Sequence, residues 1–145
     1  MKSLFISFLM LFSFSAMAVD FSFTYFGNGA GTQTYYACSY VEDQAQSYLE
    51  LLGATQIDVR CSGGITAGWN AGPVTLHASF ELPVLTSSDF ETVEISGDFS
   101  SPSCGLNVRI MKEILKTMAY IQVVKRDDAC AFSSSNYYYK LRIPR

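Results

Sequence analysis

The sequence predicts an α+β fold built from a β-α-β-β arrangement that occurs twice and is stapled by two disulfides. Three observations carry that expectation. The four cysteines fall at matching places in two similar stretches, CSYVEDQAQSYLELLGATQIDVRC from Cys38 to Cys61 and CGLNVRIMKEILKTMAYIQVVKRDDAC from Cys104 to Cys130. In each stretch an apolar pattern of helical period gives way to one of period two. Elsewhere apolar and polar residues alternate cleanly, as antiparallel strands with one wet face require.

The first eighteen residues read as an export signal. Lys2 supplies the positive charge, Leu4 to Phe14 a short apolar run, and Ala16-Met17-Ala18 a small-x-small cleavage site. Such a run is too short to remain as a membrane anchor. The mature chain is therefore expected to begin at Val19 and to occupy the periplasm or the medium, where an even cysteine count means bridges rather than metal or cytosolic redox chemistry. No later stretch is apolar enough for a transmembrane anchor. Residues 19–145 are one domain's length, with pseudo-repeats at about 19–83 and 89–145.

Each element follows from its pattern. Phe21 to Phe26 alternates and is a strand, broken by GNGAGTQ. Val41, Ala45, Tyr48, Leu49 and Leu52 fall on one face of a helix over 39–52, which Gly53 ends in a left-handed cap. Gln56 to Cys61 is a strand with Ile57 and Val59 on one side and Asp58 and Arg60 on the other, followed by a turn from Ser62 to Pro73. Val74 to Leu82 is the cleanest strand: Val74, Leu76, Ala78, Phe80 and Leu82 face in, Thr75, His77, Ser79 and Glu81 face out, and Pro83 closes it. Phe90 to Phe99 repeats the alternation, with Val93 and Ile95 inward and Glu94, Ser96 and Asp98 outward. Ser100 to Ser103 is a loop. Cys104 then opens the second helix, with Val108, Met111, Leu115 and Met118 as its seam and Ile110 and Ile114 widening it. Strands at Tyr120 to Lys125 and Tyr137 to Ile143 complete the chain.

In each half a cysteine begins the helix and another lies at or just past the end of the next strand. A strand running back along its helix brings the two together. Cys38–Cys61 and Cys104–Cys130 are thus the expected bridges, ahead of a cross-link between the halves, and each is worth about 3 kcal/mol if unstrained. Both helices should cover one face of an antiparallel or mixed sheet, leaving Thr75, His77, Ser79, Glu81, Glu94 and Asp98 toward water or a partner. The element order resembles a ferredoxin-like sandwich with extra strands, a likeness of order alone.

Most catalytic chemistries lack their residues. GNGAG follows a strand but misses the third glycine of a dinucleotide fingerprint, because Thr32 stands there, and no Lys-Ser/Thr follows as a P-loop needs. His77 is the single histidine. Ser79 and Glu81 share its face, but same-face residues two apart on a strand are separated by about 7 Å, too far for a triad, and no G-x-S-x-G elbow is present. With one histidine and the cysteines bridged, a zinc site has no ligand set, and no calcium loop or C-x-x-C appears. No cofactor is expected. The carboxylates, among them Glu42, Glu50, Glu81 and Glu94, keep a polysaccharide hydrolase open without singling out a pair.

Charge is unevenly spread. Residues 19–103 hold Arg60 as the only base against ten acids, a net −9, and residues 104–145 hold eight bases against three acids, a net +5. That asymmetry suits steering toward a partner or docking between the two regions. Arg109, Lys112 and Lys116 fall at helical spacing and would form a basic stripe. Tyr138, Lys140 and Arg142 share one face of the last strand, a composition found at binding surfaces as well as in ordinary sheets. Trp69, in a Gly-rich turn, is another contact candidate. The candidate binding surface is therefore Trp69, His77, Glu81, Tyr138, Lys140 and Arg142.

The functional expectation is an exported, non-enzymatic binding protein, with an unknown protein or glycan partner in the envelope and no nucleic acid. An inhibitor or accessory factor of an envelope protein is its narrower form, since the acidic first part suits a basic target. The alternative is a small carboxylate-dependent hydrolase of cell-wall or polysaccharide substrate. A third is a packing subunit, which a long exposed edge at Tyr137 to Ile143 would mark.

Overall fold

The computed structural model describes residues 17–29, 32–65, 71–85, 88–98, 101–128, 130 and 136–144. Residues 1–16, most of the expected export signal, and the Trp69 turn lie outside these residues. The chain runs β1 (Ala18–Tyr25), β2 (Gly27–Gly29), β3 (Thr32–Thr34), α1 (Cys38–Leu51), β4 (Thr55–Ile65), β5 (Ala71–Glu81), β6 (Phe90–Asp98), α2 (Ser101–Thr117), β7 (Gln122–Asp127) and β8 (Asn136–Pro144). The fold is α+β, and every strand pairing is antiparallel.

The larger strands divide between two three-stranded sheets, ordered β1-β5-β4 and β6-β8-β7, with β2 and β3 forming a small separate hairpin. In both large sheets the first strand in the chain pairs with the third, and the third with the second. The hairpin partner has slipped into the middle, so β1 and β4 point the same way on opposite edges of β5. β8 is likewise a central strand. The exposed edge at Tyr137 to Ile143 that would mark a packing subunit is absent, because β6 and β7 pair with both sides of β8.

Both expected disulfides are present, Cys38–Cys61 and Cys104–Cys130, closing 23 and 26 residues of sequence with Cα–Cα separations of 5.3 and 5.7 Å. Cys104 is fully buried, whereas the first bridge is partly exposed.

Element ends moved where glycine and proline chemistry decided them. β4 continues through Ser62-Gly63-Gly64 to Ile65 instead of turning. Gly63 and Gly64 have φ of +82° and +72°, and a Cβ on either would lie 2.2 Å from a backbone oxygen, that of Pro73 or Tyr36. These glycines let the strand bulge, and Ile65 N–H then bonds the Tyr36 carbonyl at 2.9 Å. Pro73 is tolerated inside β5 because it sits beside that register shift. α2 starts at Ser101, ahead of the expected Cys104, since Pro102 in a first turn leaves no N–H unpaired. α1 ends as expected: Gly53 at φ +83° lets its N–H bond Glu50 and that of Ala54 bond Leu49, closing the helix in a Schellman motif.

The inward faces merge into one core. β5 contributes Val74, Leu76, Ala78 and Phe80, β8 contributes Tyr137, Tyr139, Leu141 and Ile143, and β1 contributes Phe21 and Phe23. α1 lies on β4 and more lightly on β5, burying Val41, Ala45, Tyr48 and Leu49 along one stripe. α2 packs mainly against β1 of the other sheet, also touching α1 and β8. It is buried on most sides, with Arg109, Lys112 and Lys116 left exposed. Gly105 permits the crossing, because a Cβ there would meet the Tyr25 hydroxyl at 2.5 Å.

Candidate functional site

Register places the outward side chains of the first sheet in rows. Asp20, Ser79 and Asp58 stand opposite one another; Ser22, His77 and Arg60 form the next row; Thr24, Thr75 and Ser62 the third. Alternation alone puts them on one face, since their neighbours Phe21, Leu76 and Ala78 are in the core. The Thr24 and Thr75 hydroxyls bond each other at 3.0 Å. Asp58 and Arg60 pair at 2.8 Å, both exposed. The first two rows line a shallow depression of about 290 Å³, with His77 and Ser79 on its floor and Asp20 and Asp58 on either side. Glu81 stands farther along β5, opposite Ala18 and Thr55.

The second sheet's outer face differs in kind. Its rows are Thr92, Arg142 and Gln122; Glu94, Lys140 and Lys125; Ser96, Tyr138 and Asp127. Lys140 bonds Glu94 at 2.9 Å. That contact, followed by Tyr138 and the Lys125 charge, holds the Glu94 carboxyl below its ordinary range, and Glu94 in turn raises the Lys140 ammonium. Lys125 lies 5.5 Å from the Tyr138 ring centre and Arg142 4.6 Å from that of Phe90.

The candidate residues thus separate onto two surfaces: His77 and Glu81 on the first sheet, Tyr138, Lys140 and Arg142 on the second. Trp69 lies outside the described residues. Alternation had already turned Asp58 and Arg60 outward, but their meeting with Asp20 and Ser22 across β5 depends on strand order. Lys125 and Phe90 were missed for the same reason.

The expected basic stripe on α2 is largely compensated. Arg109 and Lys116 reach Glu113 at 3.1 and 2.9 Å, and Lys112 reaches Asp128 at 3.1 Å. Among the described residues, Lys140–Glu94 alone of these ion pairs joins the acid-rich region to the base-rich one.

Between the sheets lies a buried polar chain that the sequence did not signal. The Tyr48 hydroxyl donates to Asn107 Oδ1 at 2.8 Å and shares a second hydrogen bond with the Tyr137 hydroxyl. Asn107 Nδ2 donates to the Tyr40 hydroxyl at 3.1 Å and to the Ser103 carbonyl at 2.9 Å. Burial, then the Tyr137 contact, pushes the Tyr48 phenol far up, so it stays neutral and serves to join α1, α2 and β8.

Among the described residues no group of three or more His, Cys, Asp or Glu side chains could hold a metal ion. No helix there is long and apolar enough to cross a membrane. No family model, curated protein or solved structure matches this chain.

Proposed function

We propose that the chain is an exported, non-enzymatic binding module that docks a basic protein partner on the outer face of the first sheet. The observation that carries this reading is the row of Asp20, Ser79 and Asp58 beside Ser22, His77 and Arg60, with Glu81 beyond: a polar face, short Asp and Ser side chains at its centre, on a backbone fixed by core on the reverse side. Short side chains lose little rotamer entropy when covered, and three carboxylates against one guanidinium favour a cationic partner. Two disulfides and an export-type leader support a location outside the cytosol. The common strand order of the two sheets supports reading the chain as two copies of one β-α-β-β unit.

His77 makes no hydrogen bond among the described residues, so the face holds no assembled nucleophile–base pair. One observation favours the hydrolase as a second reading. Asp20 and Asp58 are two strand spacings apart, about 10 Å at Cα, across a depression that could seat a sugar, and inverting hydrolysis uses carboxyl groups about 6.5–9.5 Å apart.

The test immobilises the oxidised protein and captures partners from an envelope extract at low salt, beside a variant carrying Asp20→Asn and Glu81→Gln. One basic protein released at moderate salt and lost from the variant is the expected result. A partner that binds both proteins equally would move the contact elsewhere. Turnover of a cell-wall glycan, abolished by Asp58→Asn, would replace the binding reading with the hydrolase.

A further inference from the structure

The outer face of the second sheet is a separate surface with its own logic. Lys125 and Lys140 stand directly opposite each other on β7 and β8, an arrangement that destabilises a sheet unless something offsets it. Glu94 compensates Lys140 from the other side, at 2.9 Å. Among the described residues Lys125 and Arg142 form no close ion pair, although the Lys125 charge is felt at Glu94; each is held over an aromatic ring, Tyr138 and Phe90. A cation seated on a ring face is fixed in place but keeps its outward N–H donors free. The α2 cations are the contrast, since each of them reaches a carboxylate. Three cations are therefore set on a rigid strand pair, about 7 Å apart along β8 and about 5 Å across to β7, with more donors than the face's own acids occupy.

We propose that this face binds an acidic polysaccharide, with Lys125, Lys140 and Arg142 contacting successive carboxylate or sulfate groups. Thr92, Gln122 and Ser96 lie in the same rows and offer hydroxyl and amide partners to sugar hydroxyls. Nucleic acid fits less well, because bases stack on open ring faces and a cation already covers one face of each ring here. A bilayer fits less well too, since interfacial binding needs a continuous apolar face, whereas Phe90 here shares its ring with Arg142 and borders charged and polar rows. Each exposed contact is individually weak, and repetition of charge along one polymer supplies the avidity.

Affinity electrophoresis of the oxidised full chain through polygalacturonate, dextran sulfate and neutral dextran tests this, with anionic vesicles and single-stranded DNA as further arms. Retardation is expected with a charged polysaccharide and not with neutral dextran; which one retards more identifies carboxylate or sulfate as the preferred group. Lys125→Gln and Arg142→Gln should each weaken binding by up to roughly fivefold, the range of one exposed ion pair. Glu94→Gln should tighten it about threefold by releasing Lys140, a gain that structural damage would not produce. Lys116→Gln on α2 should change nothing. The proposal is overturned by equal retardation in neutral dextran, by no retardation at all, by stronger binding to vesicles or DNA, or by weakened binding in Glu94→Gln.

Discussion

In the first sheet the outward rows hold short hydroxyls and acids around a single guanidinium. In the second, the same three-strand order presents lysines and an arginine seated on rings and on one glutamate. The helices differ in the same spirit. α1 buries one stripe against its own sheet, while α2 is wrapped on most sides because it crosses to β1 and also meets α1 and β8. Outward strand positions can differ because they are exposed or half-buried among the described residues, whereas inward ones must fill a close-packed volume. One inward position differs in polarity and is matched by partners. Three residues past the helix cysteine, α1 has Val41 and α2 has Asn107, both fully buried, and Asn107 is accommodated by Tyr48, Tyr40 and Ser103.

The largest expected effect breaks the comparison at the disulfides. Replacing Cys104 and Cys130 by alanine should destabilise by about 3 kcal/mol from loop closure, with a further loss because Cys104 is sealed in the core; Cys38→Ala with Cys61→Ala should lose the loop term alone. Urea midpoints at constant slope would show the difference. Under graded reduction and alkylation, peptide mapping should find Cys38–Cys61 opened first, and the reverse order would contradict the burial difference.

Next is the polar chain between the sheets. Asn107→Val gives α2 the residue α1 carries and strands the Tyr48 and Tyr40 hydroxyls, a loss of about 2 kcal/mol. Stability equal to the parent would mean those bonds contribute nothing net. Tyr48→Phe combined with Asn107→Val should then lose less than the sum of the two single changes, as members of one network do.

A smaller effect concerns the central strands, where β5 buries the apolar Val74, Leu76, Ala78 and Phe80 while β8 buries Tyr139, whose hydroxyl has no hydrogen-bond partner among the described residues. Burial, aided by the Asp128 charge, pushes the Tyr139 phenol up to about 12. Above the ordinary tyrosine value near 10 the unfolded chain releases this proton while the folded chain keeps it, so its contribution is complete below pH 10 and is lost as pH rises toward 12. Tyr139→Phe should leave neutral-pH stability unchanged or slightly higher and flatten that alkaline decline, read by circular dichroism against tyrosinate absorbance.

The smallest effect is at Glu94. Its carboxyl is held low in the folded state, so the contribution of the Lys140 contact is present above the ordinary carboxylate range and fades as acid protonates Glu94. Because the pair is exposed, Glu94→Gln should leave the urea midpoint at neutral pH unmoved. A clear shift would mean the second sheet leans on this contact more than the first leans on Asp58–Arg60.

Much of this was legible along the chain. The inward residues of β5 and β8, the apolar stripe of α1 and both bridges followed from periodicity and cysteine position, because those patterns reflect contacts within one element or between chain neighbours. What was misread shares one cause. Gly63 and Gly64 look like a turn and instead form a bulge, since the Tyr36 and Pro73 carbonyls approach from distant parts of the chain. Tyr48 looked like ordinary core because its partner Asn107 lies 59 residues away. The basic stripe on α2 looked open because the pairing of Lys112 with Asp128 requires the chain to fold back.

The sequence by itself therefore determined both helices, the six longer strands and the two bridges, all of which rest on local geometry and short loops, while the β2–β3 hairpin lies where the sequence reads as a break. Only the tertiary structure decided that the strands part into two sheets with a hairpin partner inserted at each centre, that α2 crosses to β1, and that the candidate residues divide between an acidic face and a basic one. Those outcomes depend on which nonlocal surfaces fit together best, and side-chain periodicity carries no record of its eventual neighbour.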